Sequence, residues 1–483
     1  MLFQVGTLAV LGRLLTPEDF GVVAAALVAV NFSAIFAQLG VNQALIQRSS
    51  VTEGTSGTTF LITVALGSAL SLGLALLAPA IARGLALDAL APVLRALSVI
   101  FVIRAVGSTA EALLARALRF RAIALLDVVS YAVGHGAVGV TLAALGFGYW
   151  SLVGAHLAQA AVKSALAVAA RPHVLRPDLD PALVRDLLTF GGGFSLSRIA
   201  NFVALQADNL VVTRQLGAAA VGAYSRAYQL MGMPASLIGN ALDRVLFPTF
   251  ARHQTEVPAL RSAYLHGTAL IALACLPSGA VASVMAPELV RLLLGDQWGA
   301  VVLPFQVFSL TLVFRVGDRL NAVTARAVGA VYRRALLQAV YAVAVIVLAT
   351  VGARHGLQGV ATGVAAALVG NHVGGSLLAL RLVGADARSA VRASLQAIPL
   401  TALAATAALF GALPGRSQSW PAPAVVAGSI LLVATVSLAF LWSYPRLALG
   451  HEAPWFAALA RELLPARTPG LRRWIARAEG ALP

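Results

Sequence analysis

Arginine stands in this chain where arginine is costly. Arg104, Arg198, Arg226, Arg244, Arg315 and Arg319, with Lys163, fall inside apolar runs long enough to cross a bilayer, as do Glu111, Asp127, Asp208, Asp243 and Asp318. A charge at the centre of a membrane helix costs roughly 2.5–3.5 kcal/mol on insertion scales, so these groups should face a protein interior or a wet cavity. A guanidinium grips phosphate oxygens in pairs through a planar fork of donors. Inward arginines therefore suit a cargo that carries phosphate, and Arg198, Arg104, Arg315, Arg319 and Arg226, with Asn201, are the expected substrate-binding residues. The alternative is ion pairing within the membrane, for example Arg315 or Arg319 with Asp318. Asp243 and Arg244 fall near a helix end, where a long side chain reaches the interface at little cost.

Other chemistries find no support. His135, His156, His266 and His372 share no metal-ligand spacing, and each reads as a packing residue before a proton relay. Cys275, the only cysteine, lies beside Pro277 in an apolar run and suits packing better than catalysis. There is no Walker A motif and no long polar loop to hold a hydrolase or transferase site. The expectation is a protein that is not an enzyme and uses no cofactor.

The elements that position these charges come in two copies. Arg13-Leu-Leu-Thr-Pro-Glu-Asp-Phe-Gly21 recurs as Arg214-Gln-Leu-Gly-Ala-Ala-Ala-Val-Gly222. Asn42–Leu45 falls on Asp243–Leu246, Ala78-Pro79 on Ala286-Pro287, Pro92 on Pro304, Arg104 on Arg315, Ala115-Arg-Ala117 on Ala325-Arg-Ala327, and Tyr131 on Tyr341. Each match is weak, but their common order signals a duplication, the way many transporters are built. It pairs Arg104 with Arg315, with Arg319 one turn beyond. The seventh run is the most polar, with Ser195, Ser197, Arg198, Asn201, Gln206, Asp208 and Asn209 following Gly191-Gly192-Gly193, and Pro234 predicts a kink in the eighth.

Composition sets the class. Of 483 residues, 59% are hydrophobic and only 11% charged, with mean hydropathy +0.85; soluble domains carry about 25% charged residues. Apolar runs of spanning length lie near 22–46, 58–82, 93–114, 122–145, 149–170, 187–213, 221–247, 263–285, 301–325, 334–352, 357–380, 394–412 and 424–443, after a short run Leu2–Leu15. That predicts an all-α polytopic membrane protein of about fourteen transmembrane helices. Residues 1–170 form an N-lobe of helices 1–6, 171–186 a cytoplasmic linker and 187–380 a C-lobe of helices 7–12; 381–444 hold helices 13 and 14, and 445–483 a basic tail. Six helices per repeat give both lobes one orientation. The tail, with Trp455 and Trp474 among its arginines, reads equally as an amphipathic surface segment or as disordered.

The net charge of +16 reflects the positive-inside rule, not a nucleic-acid partner. Alternate loops carry Arg116/Arg119/Arg121, Arg171/Arg176/Arg185, Arg252/Arg261, Arg326/Arg333/Arg334 and Arg381/Arg388/Arg392. That side is expected to be cytoplasmic, with both termini on it. The first run would reach only about 21 Å, short of the roughly 30 Å core. Its repeat partner begins earlier, so a truncated first helix lacking roughly fifteen residues is expected; a short first helix with local bilayer thinning is the alternative.

Arg13–Gly21 followed by Leu39-Gly40 and Ala44-Leu-Ile-Gln-Arg48 resembles the opening of bacterial polysaccharide transporters of the multidrug/oligosaccharidyl-lipid/polysaccharide exporter superfamily. Ala207–Gly217, Tyr224–Met231 and Asp243–Pro248 resemble the start of the second lobe in the same proteins. The resemblance implies two six-helix lobes in a V around a cationic cavity lined by helices 1, 2, 7 and 8. It implies a flippase that moves undecaprenyl-pyrophosphate-linked oligosaccharide (O-antigen, colanic acid or exopolysaccharide precursors) across the bacterial inner membrane. Alternating access would be driven by an ion gradient or the membrane potential, and Asp208, Asp127, Glu111 and Asp318 are the ion-coupling candidates. Polysaccharide polymerase and glycosyltransferases are the protein partners it suggests, besides the lipid-linked oligosaccharide and the bilayer. A multidrug exporter of the same superfamily and a non-transporting scaffold of polysaccharide assembly are the alternatives.

Overall fold

Thr16 shows how this sequence starts a helix. It stands between α1 (Leu2–Leu14) and α2 (Pro17–Ala37). Its N–H and hydroxyl donate to Asp19 Oδ2 at 2.9 and 2.7 Å, and its hydroxyl oxygen accepts from the Asp19 N–H at 3.2 Å. Proline at the first helical position loses no hydrogen bond, and Glu18 and Asp19 sit at the positive end of the helix dipole. The Thr-Pro-Glu-Asp string is a helix start with a physical reason.

The computed structural model describes residues 2–37, 41–48, 51–172, 178, 202, 206–239, 256–418, 420–463 and 469–480. Among them there is no strand, as an all-α polytopic membrane protein requires. They fall into two units, Met1–Ser225 with Leu293–Gln297, and Arg226–Leu292 with Trp298–Pro483.

In the first unit α2 is followed by α3 (Val41–Gln47), α4 (Glu53–Leu85), α5 (Leu90–Ser98), α6 (Ile100–Arg116), α7 (Phe120–Tyr131), α8 (Val140–Ala144) and α9 (Tyr149–Ala170). A π-helical stretch, Ala132–Gly139, joins α7 to α8. There His135 stacks on Tyr131 at 4.6 Å and meets His156 edge-on at 4.8 Å.

Residues 206–239 form α10, which runs from the first unit into the second. It is not straight. Gly217 takes φ +84°, and the Tyr224 hydroxyl donates to Asp208 Oδ2, 16 positions earlier, at 2.8 Å. A straight helix would separate them by about 24 Å, so the chain doubles back at Gly217. Thr16 and Gly217 occupy equivalent places in the two copies, and both make the turn between paired helices.

The second unit continues with α11 (Val257–Val284), α12 (Ala286–Leu293), α13 (Gly299–Leu310), α14 (Leu312–Ala327), α15 (Val331–Gly352), α16 (Gly356–Val383), α17 (Ala387–Leu395), α18 (Ile398–Gln418) and α19 (Ala422–Ser443). The tail is folded, as α20 (Pro445–Leu449), α21 (Ala453–Leu463) and α22 (Pro469–Glu479). Leu449, Ala453, Ala457, Ile475 and Ala478 form a small core there, and the Trp474 indole donates to the Leu441 carbonyl at 2.9 Å.

Packing contacts of one kind occur in both units: Gly107 of α6 lies against Ser164 of α9, and Gly317 of α14 lies against His372 of α16. The break between α5 and α6 at Val99 recurs between α13 and α14 at Thr311, where the axis bends by 45°. One difference stands out: α4 runs unbroken through Pro79, whereas the second copy breaks at Met285 just before Ala286-Pro287.

Among the described residues, nine helices are long and apolar enough to cross a membrane, or ten if the bent pair α13–α14 counts as one span. Residues 331–383 enter that count once, although 53 residues of helix would run about 80 Å, far beyond a bilayer core. α15 and α16 are a hairpin, closed where a Cβ on Gly352 would collide with the Gly359 carbonyl oxygen. Most of the seventh expected run and the linker before it lie outside the described residues.

Candidate functional site

Among the described residues, each unit brings several of its intramembrane charges together. In the first, α6 carries Arg104 and Glu111 seven positions apart, two turns along one face. α7 supplies Asp127 and α9 supplies Lys163. The Lys163 ammonium lies 2.9 Å from Glu111 Oε1 and 2.9 Å from Asp127 Oδ1. These groups, with Arg104, line a cavity of about 480 Å³ that also takes in Asn42 and Gln43 of α3. Two cations and two carboxylates balance, so the cavity is polar without a large net field. The Asn42 and Gln43 side-chain oxygens are buried and accept no hydrogen bond. They are acceptors available to a hydroxyl-bearing ligand.

In the second unit α14 is the organising helix. Asp318 pairs with Arg334 of α15 at 2.5 Å, both largely buried. Asn321 accepts from the Tyr264 hydroxyl of α11 at 2.8 Å and donates to Ser376 of α16 at 3.1 Å. Arg315 donates to the Tyr228 hydroxyl of α10, with its guanidinium carbon 4.6 Å from the centre of that ring. Tyr228 is braced edge-on by Phe308 at 5.5 Å. Arg319 lies over Gly239 near the end of α10, in the space a Cβ would fill.

Asp318, offered in the alternative reading as a partner for Arg315 or Arg319, pairs with Arg334, a residue the sequence places in a loop. α15 starts at Val331, so Arg334 is already one turn inside the helix and faces α14. Tyr228 lies within the Tyr224–Met231 string but is not among the expected site residues, and Arg334 belongs to no motif. Only the pairing of α10 and α15 with α14 reveals them. Asp208 is 4% exposed; it accepts from Tyr224 and from the Asn209 N–H at 2.8 Å and pins the α10 hairpin. Arg226 is half-buried in α10. Arg198, Asn201, Asp243, Arg244 and the triple glycine lie outside the described residues.

A further site joins the two copies. A Cβ placed on Gly21 would collide with the Ala218 carbonyl oxygen, and one on Gly222 with the Pro17 carbonyl oxygen. Gly21 and Gly222 are repeat-related, as are Pro17 and Ala218. The contact is reciprocal, two helices touching backbone to backbone near the turns that Thr16 and Gly217 make.

The profile of a family described as "Polysaccharide biosynthesis protein" matches residues 10–303, more than half of the chain. The chain belongs to the polysaccharide biosynthesis protein family. The succinoglycan biosynthesis transport protein ExoT of Rhizobium meliloti is 31% identical over 292 residues, 60% of this chain and 59% of that protein. The lipopolysaccharide biosynthesis protein WzxC of Escherichia coli is 25% identical over 65% of this chain and 64% of its own length. The teichuronic acid biosynthesis protein TuaB of Bacillus subtilis is 25% identical over 65% of each. The chain thus matches less than two thirds of each relative's length. Among solved structures, the lipid II flippase MurJ in an inward closed conformation covers 90% of this family member with 96% of its own chain, at TM-score 0.71 and 12% identity. An inward-facing multidrug transporter of the MATE family covers 79% with 94% of its chain, at TM-score 0.63 and 18% identity. The shared feature at such identity is the fold: an all-helical, multi-pass membrane protein.

Proposed function

We propose that this protein is a flippase that carries polyprenyl-pyrophosphate-linked oligosaccharide from the cytoplasmic to the periplasmic leaflet of the bacterial inner membrane. The observation that carries the reading is membership of a polysaccharide biosynthesis family, together with similarity to a named transport protein. The arginines support a phosphate-bearing cargo. Arg315, steered by Tyr228, and Arg104, at the wall of the first cavity, are repeat-related cations on equivalent helices. Arg319, Arg226, Arg198 and Asn201 complete the substrate set. The orphan oxygens of Asn42 and Gln43 suit sugar hydroxyls. Glu111, Asp127, Asp208 and Asp318 are the carboxylates that couple flipping to an ion gradient. Lys163, shared between Glu111 and Asp127, and Arg334, on Asp318, already pair with three of them, which lets a proton or cation exchange against a built-in cation.

The glycine crossing supports alternating access. Backbone contact at Gly21 and Gly222 closes tightly and parts without repacking side chains. In this reading 1–170 and 187–380 are the two lobes, 171–186 links them, and 381–444 and the tail are additions. Both termini face the cytoplasm, and the polymerase and glycosyltransferases of the same polysaccharide are the partners.

The test is flipping of a fluorescent polyprenyl-pyrophosphate oligosaccharide in proteoliposomes. Wild-type protein should move it, and Arg104→Ala and Arg315→Ala should each slow it by about tenfold or more while the protein stays folded, one lost charge-assisted contact being worth roughly 1.5–3 kcal/mol. Cargo that stays in its leaflet with folded wild-type protein would reject the flippase. Undiminished flipping by both variants would reject the phosphate grip.

A further inference from the structure

A second cationic cleft lies in the unit that holds the tail. It is bounded by α17 on one side and the turn from α20 to α21 on the other, with a volume of about 990 Å³. Arg388, Val391, Arg392 and Leu395 line it from α17, and Arg446 and His451 line it from the tail. The α17 residues follow the i, i+3, i+4, i+7 spacing of a single helix face. That face alternates cation and aliphatic, with Val391 and Leu395 54% and 53% exposed. Arg388 and Arg392 are like charges one turn apart, an arrangement that weakens a helix unless an anion lies between them. No Asp or Glu lines the cleft among the described residues.

The cleft is also built. Asp386 caps α17, its carboxylate accepting the Ser389 N–H at 3.1 Å and the Ser389 hydroxyl at 2.7 Å. Those bonds hold the Asp386 carboxyl below the usual carboxylate range. Gln396, just past the end of α17, accepts the His451 N–H at 3.0 Å, tying the tail's turn to that helix. Arg446 donates from its guanidinium to the Glu479 carbonyl at 2.8 Å, which fixes that head group against the end of α22. Depth in the bilayer is marked by Trp442 and Tyr444 at the end of α19, 51% and 62% exposed, the aromatic signature of a membrane interface.

We propose that this cleft binds the phosphate headgroup of an anionic glycerophospholipid, with one acyl chain lying on Val391 and Leu395. A soluble phosphate would have no use for the exposed aliphatic residues between the arginines. An interfacial lipid uses both, since basic clusters beside a membrane helix attract anionic headgroups. The bound lipid would staple the tail helices to α17. The proposal does not depend on the flippase reading.

The full chain is placed in nanodiscs of phosphatidylcholine with and without phosphatidylglycerol, and lipid retention is measured by native mass spectrometry alongside the thermal midpoint. Wild-type protein should retain phosphatidylglycerol and melt higher with it. Arg388→Gln/Arg392→Gln should bind it about tenfold more weakly or worse and lose the stabilisation, yet melt like wild type in phosphatidylcholine alone. Arg333→Gln, an exposed arginine away from the cleft, should behave as wild type. Equal retention by the double variant overturns the proposal, and so does an equal loss in Arg333→Gln, which would make the effect one of bulk charge. Inorganic pyrophosphate that displaces phosphatidylglycerol and gives the same stabilisation in phosphatidylcholine would overturn it too, by assigning the cleft to a free phosphate.

Discussion

Lys163 holds two membrane carboxylates, Glu111 and Asp127, and Arg334 holds one, Asp318. Glu111 and Asp127 are recognisable as charges in apolar runs, but their common partner arrives from α9, 52 positions after Glu111. A spacing rule along one helix cannot see it. Arg334 was hidden differently: it flanks a span and counts as a loop cation until α15 winds it onto Asp318. The two ion pairs should differ in weight. Arg334 and Asp318 side chains are 13% and 18% exposed, so Asp318→Ala should cost about 3 kcal/mol by stranding a buried charge. Asp318→Leu combined with Arg334→Met should recover most of it. Asp127 is 56% exposed to its cavity; solvent screening there should hold the cost of Lys163→Met to about 1 kcal/mol. Denaturation in detergent micelles reads both, and a larger loss for Lys163→Met than for Asp318→Ala would contradict this ranking.

At the scale of elements, the family string at Arg13–Gly21 separates into two jobs. Its Thr16-Pro17-Glu18-Asp19 part starts α2, and Thr16→Ala should cost about 1 kcal/mol of stability through the lost cap. Its last residue, Gly21, has nothing to do with starting a helix. It is glycine because the Ala218 carbonyl occupies the place of a side chain. Gly21→Leu and Gly222→Leu should therefore leave the protein inserted and helical but unable to close the crossing. The expected result is flipping reduced by about tenfold or more, together with faster maleimide labelling of a cysteine placed at Asp19. Normal flux with bulky residues at both positions would show that the contact need not form during transport. The first half of this was legible from capping chemistry; the second needed α10 folded back at Gly217.

For the whole molecule, the charge pattern predicts orientation. In intact cells of a variant with Cys275→Ala, cysteines introduced as Arg121→Cys or Arg388→Cys should resist a membrane-impermeant maleimide added outside, and should label in inverted vesicles. External labelling of either would reverse the topology. Hydropathy determined, without coordinates, that the chain is an all-α membrane protein, and the ordered repeat matches led to the reading of two copies of one bundle. Hydropathy could do so because a bilayer leaves the backbone few solutions and imposes a span length. Tertiary structure decided what that pattern leaves undetermined. It chose Arg334 as the partner of Asp318 and Tyr228 as the hand on Arg315. It brought Gly21 and Gly222 into backbone contact, and folded the basic tail against α17 into a cleft. Each of these joins residues far apart in sequence, and such contacts are set by which helix faces meet, a property of packing that no local spacing encodes.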